Sequence, residues 1–146
     1  MWTLDASIVA RSFDSADAHQ EVCLKLLEYL DQQTVPIVVP RLLLTEIAGA
    51  VRRITRDPMR ARLAAEAWTR LPHVQLVTLD DALIDEAAEI AADRALKGAD
   101  AVYVAVARRH RATLVTLDRE QRERAAALVA VMTPTEALSA LAQPGE

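Results

Sequence analysis

Short apolar runs alternate along the chain with stretches in which apolar residues recur every three or four positions. That is the pattern of strands and amphipathic helices taken in turn. The first run, Trp2 to Leu4, ends at Asp5, and from Asp17 to Asp31 the residues Val22, Leu26, Leu27 and Leu30 fall at helical spacing. Val35 to Val39 predicts a second strand. Pro40 suits the first turn of the next helix, where a missing N–H costs nothing, and that helix runs to about Ile54. Asp57-Pro58 reads as an N-cap and first residue of another helix, with Met59, Leu63 and Ala67 on one face and Pro72 beyond its end.

Val74 to Leu79 predicts a third strand. Asp80 to Lys97 is the clearest helix, with acids at its start, Arg94 and Lys97 near its end, and Gly98 fitting C′. Thr113 to Leu117 reads as a strand ending at Asp118, Val129 to Met132 as a last short strand, and Pro134 opens a final helix. Ala101 to Ala107 alternates like a strand yet is apolar all round like a buried helix. Its length with Arg108-Arg109-His110, and the Gly98 break before it, favour helix. The order predicts an α/β domain around a largely parallel sheet.

At 146 residues the chain is expected to form one domain, with residues 143–146 a disordered tail. A chain this long buries about two thirds of its surface and needs no staples. Cys23 is the single cysteine, so disulfides within the chain and cysteine zinc clusters are excluded; it reads as an apolar filler on a helix. No targeting segment and no membrane span is visible, which gives a soluble, cytoplasmic expectation. The net charge of −4 means that a phosphate-bearing partner must be met by local arginines or a bound cation, not by a basic bulk field.

Most of the 21 acids are ordinary surface residues; four are not. Asp5 and Asp118 each follow an apolar strand, so parallel strands would deliver both carboxylates to one sheet edge, where open α/β sheets bind ligands. Each could instead simply cap the helix that follows. Glu46 lies within the stripe Leu42, Leu43, Ile47 and Ala50, and a carboxylate buried there must be paired or hold a metal. The alternative is an ion pair with Arg52 or Arg53. Asp100 stands at the mouth of the apolar run, where it could serve as an N-cap. Four converging carboxylates would repel one another, and a divalent cation with oxygen ligands, Mg²⁺ or Mn²⁺, removes that conflict.

These residues carry a resemblance. Leu4-Asp5-Ala6-Ser7 resembles the opening of a PIN domain, and Leu43-Leu44-Thr45-Glu46 its glutamate motif. Ala95-Leu96-Lys97-Gly98-Ala99-Asp100-Ala101 is similar to its third motif and Leu114-Val115-Thr116-Leu117-Asp118 to its fourth, in order over nearly the whole chain. The resemblance implies a Rossmann-like three-layer α/β/α domain over residues 1–142, with Ala101 to Ala107 helical. At this length the chain resembles VapC, the toxin of a VapBC toxin–antitoxin pair. That implies an Mg²⁺- or Mn²⁺-dependent endoribonuclease, a homodimer, held silent by a VapB-type antitoxin, acting on RNA without direct contact with DNA. Asp5, Glu46, Asp100 and Asp118 would be its acidic quartet and metal ligands. Ser7 and Thr116 would be hydroxyls that orient them. Residue 6 is Ala where the family often has Thr or Ser, which removes one supporting donor.

Other candidates are weaker. His19, His73 and His110 show no metal-ligand spacing, and Ser7 has no His partner for a triad. Glu120 is a possible fifth acid or a helix-dipole partner. Arg52, Arg53, Arg56, Arg60 and Arg62 form either a solvated face or a phosphate-tracking rim. A receiver-type phosphate switch needs a Lys after a late strand, and neither Lys25 nor Lys97 follows one. A haloacid-dehalogenase-type phosphatase needs Asp-x-Asp after the first strand, and residue 7 is Ser. A catalytically silent PIN-like binding module is the remaining alternative, although such a module is expected to lose part of the quartet.

Overall fold

A computed structural model describes residues 1–143 of the chain. Five strands and eight helices alternate: β1 (Trp2–Leu4), α1 (Ala6–Ser12), α2 (Gln20–Gln32), β2 (Ile37–Pro40), α3 (Leu42–Thr55), α4 (Pro58–Thr69), β3 (Val74–Val77), α5 (Asp81–Arg94), α6 (Gly98–Arg109), β4 (Thr113–Val115), α7 (Arg119–Ala125), β5 (Val131–Met132) and α8 (Pro134–Ala142). The expected tail at 143–146 lies, from Pro144 onward, outside the described residues.

The strands form one sheet in the order β3-β2-β1-β4-β5, and every pairing is parallel. Helices flank it in a three-layer α/β/α arrangement. The central strands are mostly apolar because both faces are covered; Leu4, Val38, Val39, Leu114 and Val115 are fully buried. Thr3 sits among them at no cost, since its hydroxyl donates to the Val38 carbonyl at 2.8 Å. The run Ala101 to Ala107 is helical, as expected, and every residue of it is buried. An all-apolar helix surface is stable only in such a place.

Strand order places the site. The chain leaves β1 toward β2 on one side, and β4 pairs on the other, so the order reverses between β1 and β4. Such a reversal opens a crevice at the carboxyl ends of the strands. Leu4 stands level with Val115, and Asp5 N–H donates to the Val115 carbonyl at 3.0 Å. Asp5 and Asp118 therefore leave adjacent strands at that same edge.

Local expectations failed in three places. Pro40 ends β2, level with Val77, and does not open α3. There the missing N–H is tolerated by a strand end as well as by a helix start. Gly98 begins α6, and the left-handed residue closing α5 is Ala95, φ 53°. Asp100 is in the first turn of α6, whose N-cap is Lys97, so it does not cap the helix. Met59 and Leu63, placed on one face of α4 by the sequence, point to solvent (57% and 55% exposed), and the helix buries Ala61 and Trp68. Asp57 does cap α4, accepting from the Met59 and Arg60 N–H groups at 2.9 and 3.2 Å.

Candidate active site

Asp5 and Asp118 do two things at once, because capping and a place at the crevice are compatible. Asp5 is 7% exposed, and its Oδ2 accepts from the Ser7 N–H at 3.2 Å and from the Ser7 hydroxyl in a very short hydrogen bond. Asp118 Oδ1 accepts from the Gln121 N–H at 2.9 Å. The Thr116 hydroxyl, fully buried, accepts from the Asp118 N–H at 3.1 Å and so shapes the turn that aims Asp118. Thr116 stands away from solvent; Ser7 reaches the crevice.

Glu46 comes to the crevice from α3 and Asp100 from the first turn of α6; both are half-buried. Among the described residues Glu46 pairs with neither Arg52 nor Arg53, and its buried Oε1 has no hydrogen-bond partner. The core ion pair allowed by the sequence is absent there.

Electrostatics shows how closely the four converge. Burial first, then repulsion from Asp5 and Asp100, lifts the Glu46 carboxyl to about 7 from an ordinary 4.5. Burial, then Asp5 and Asp118, lifts Asp100 to about 6 from 3.8, with Lys97 opposing and Glu120 adding a little. Burial raises Asp5 as well, despite the Ser7 hydrogen bonds, and Asp118 adds to that rise. Glu120 is exposed and paired with Arg124, which fits a surface helix partner.

Two residues that the sequence did not single out belong to this site. Tyr103, one turn along α6 from Asp100, is fully buried, and its hydroxyl has no partner among the described residues. Its proton is held on by burial and by the charges of Glu46, Asp5 and Asp100. Gln121 is fully buried, and its Nε2 donates to the Asp100 carbonyl at 3.4 Å. Both left a trace in the sequence. Tyr103 is the one polar side chain in the apolar run, and Gln121 stands three residues after a helix-capping Asp, the spacing of a capping box.

The donor set is all oxygen, mutually repelling, and includes an orphaned buried carboxylate atom. It fits a hard divalent cation better than any protein counter-charge present. Among the described residues no three His, Cys, Asp or Glu side chains form a ready clasp. That is compatible with Mg²⁺ chemistry, which keeps several waters and uses one or two carboxylates. A cleft of about 420 Å³ reaches Glu46, with Ser7, Thr45, Gly49 and Arg53 also in its wall.

The PIN domain family model matches residues 3–127, and the chain belongs to that family. Among curated proteins none matches it in sequence. In structure it is similar to the sarcin–ricin-loop-cleaving toxin VapC20 of Mycobacterium tuberculosis, at 22% identity and TM-score 0.68 over 87% of this chain and 95% of that one. A protein of Pyrobaculum aerophilum is similar at 22% identity and TM-score 0.68, covering 97% and 94% of the two chains. VapBC2 of Rickettsia felis, solved on promoter DNA, is similar at 14% identity and TM-score 0.66 over 90% and 97%. At these identities the likeness is one of fold.

Proposed function

We propose that residues 1–142 form a metal-dependent endoribonuclease, the toxin of a VapBC-type pair, with Asp5, Glu46, Asp100 and Asp118 as its acidic quartet. The observation that carries this is the convergence of four mutually repelling carboxylates at the carboxyl edge of a PIN-domain sheet.

The reaction is hydrolysis. A water oxygen bonds to phosphorus and the P–O ester bond breaks. One water proton ends on the leaving ribose oxygen, and the other is released as the new phosphate ionises. A bound Mg²⁺ or Mn²⁺ would polarise the phosphoryl oxygen and acidify the attacking water. Asp5, fixed by Ser7, and Asp118, aimed by the Thr116 turn, hold the strand-edge side of the site. Glu46 and Asp100 face them from α3 and α6.

The partner is a VapB-type antitoxin, in keeping with neighbours solved as toxin–antitoxin complexes. No described helix is long and apolar enough to cross a membrane, and the proposed place of action is the cytoplasm, where RNA is met. Exposed Ile54, Met59 and Leu63 on α3 and α4 support a homodimer contact. The test is cleavage of a structured RNA pool by purified, antitoxin-free protein. Cutting with Mg²⁺ or Mn²⁺ that stops in EDTA is expected. No cutting by folded protein would leave a silent PIN-like binding module.

A further inference from the structure

We infer that Arg52, Arg53 and Arg56 form an RNA-backbone site that continues the catalytic cleft, while Arg60 and Arg62 stand outside it. The inference rests on the nuclease reading for the identity of its ligand, and the geometry stands on its own.

Glu46, Gly49 and Arg53 succeed one another on one face of α3, at i, i+3 and i+7. All three line the same cleft. A Cβ on Gly49 would stand 3.4 Å from Arg53 Nη1, so the guanidinium lies folded back over the glycine, toward Glu46. Helical side chains lean toward the N-terminus in this way, and the absent side chain at 49 leaves the space. Arg53 also belongs to a second depression, of about 540 Å³, whose walls are Arg52, Arg53 and Arg56 alone. The two hollows therefore share a residue, and one path runs from Glu46 across Arg53 to Arg56.

These arginines are unspent. Among the described residues none of the three makes an ion pair; Arg60 and Arg62 make none either, so it is the shared concavity that sets the three apart. All three are exposed. Their position at the end of α3 suits the helix dipole, which accounts for a cation or two there. It does not account for three guanidinium groups around one concavity that shares Arg53 with the cleft holding Glu46. A chain of net charge −4 repels a polyanion from a carboxylate pocket unless positive charge lies alongside. Planar guanidinium forks suit phosphate and position nucleic acid without reading its sequence. The proposed occupant is the phosphodiester backbone of single-stranded RNA flanking the cleaved bond.

The experiment is fluorescence anisotropy with a fluorescein-labelled single-stranded RNA of mixed sequence in EDTA, over a series of salt concentrations. The variants are Arg52→Gln/Arg53→Gln/Arg56→Gln, the same three changed to Lys, and Arg60→Gln/Arg62→Gln. Each arginine–phosphate pair removed should flatten the slope of log K against log salt by about 0.7, so the triple Gln variant should lose about 2 in slope and more than tenfold in affinity. The triple Lys variant should keep the slope, and the Arg60/Arg62 pair should behave as wild type. If the triple Gln variant fails to fold, each single Gln variant should lose about 0.7. A folded variant with wild-type affinity and slope would overturn the proposal. So would equal, arginine-dependent binding of polyglutamate, which would assign the surface to an acidic protein segment.

Binding in EDTA is separate from cleavage in Mn²⁺. Loss of cutting with the arginine dependence intact would sink the nuclease reading and leave this site standing. In the cleavage assay the Gln variants should raise KM and leave kcat within about twofold, because the arginines hold ground state and transition state alike.

Discussion

Gln121 ties two of the site's carboxylate residues to each other: its side-chain Nε2 donates to the Asp100 carbonyl at 3.4 Å. Its own backbone N–H donates to Asp118 Oδ1 at 2.9 Å. One buried residue of α7 thus fixes the start of α6 relative to the end of β4. The long side-chain bond and the unpartnered Oε1 mean that little stability depends on the amide. Gln121→Leu, which keeps the volume, should therefore melt within a few degrees of wild type yet lose about tenfold in metal-dependent cleavage. Thermal melting beside a cleavage time course reads both. Unchanged cleavage in a folded variant would reduce Gln121 to packing.

Tyr103 offers a sharper distinction, because its hydroxyl is buried and unpartnered. Removing a group that was desolvated without compensation should not destabilise. Tyr103→Phe is expected to match or exceed wild type in metal-free stability, by up to about 1 kcal/mol. A loss larger than that in denaturant unfolding would mean that the hydroxyl has a partner, such as a bound water shared with Glu46.

Stability should depend on pH in a direction opposite to that of an ordinary salt-bridged carboxylate. Unfolded, Glu46 and Asp100 titrate near 4.5 and 3.8; folded and metal-free, near 7 and 6. Between those values the folded chain keeps protons that the unfolded chain has lost. Their contribution is thus complete below about pH 4 and is lost as pH rises through about 7. Both groups are partly solvated, so each is worth on the order of 1 kcal/mol. Glu46→Gln abolishes its share. Without metal it should melt about 3 °C above wild type at pH 8 and level with it near pH 4. Equal melting at both pH values would contradict the crowding of the four acids.

Much of this was legible in the chain, for reasons that differ by residue. Asp5 and Asp118 stood out because they follow apolar strands, and the parallel sheet carries both to one edge. Glu46 stood out because a charge had entered an apolar stripe. Pro40, Gly98 and Asp100 were misplaced within their elements, because proline and glycine mark an end without saying which one. A carboxylate one turn into a helix resembles a cap when only its neighbours are known. Met59 and Leu63 show the limit of a periodic apolar face: it does not say whether the same chain will cover it, and here they are exposed. The arginine concavity was visible as five candidates, and only three-dimensional packing separates Arg52, Arg53 and Arg56 from Arg60 and Arg62.

Cys23 should behave as an inert core residue. It is fully buried, and burial pushes its thiol up to about 11, so little thiolate forms at neutral pH. A thiol-reactive chromogen should label it only on unfolding, at the rate of global opening. Rapid labelling of native protein would place α2 among the mobile elements.

The most direct measurement is titration of Mn²⁺ into metal-free protein at pH 7.5, followed by the electron paramagnetic resonance signal of the free ion. Wild type should bind saturably, and Asp5→Asn and Asp100→Asn should each weaken binding by tenfold or more while remaining folded. Failure of wild type to bind, or equal binding by both folded variants, would mean that these carboxylates do not form one cation site.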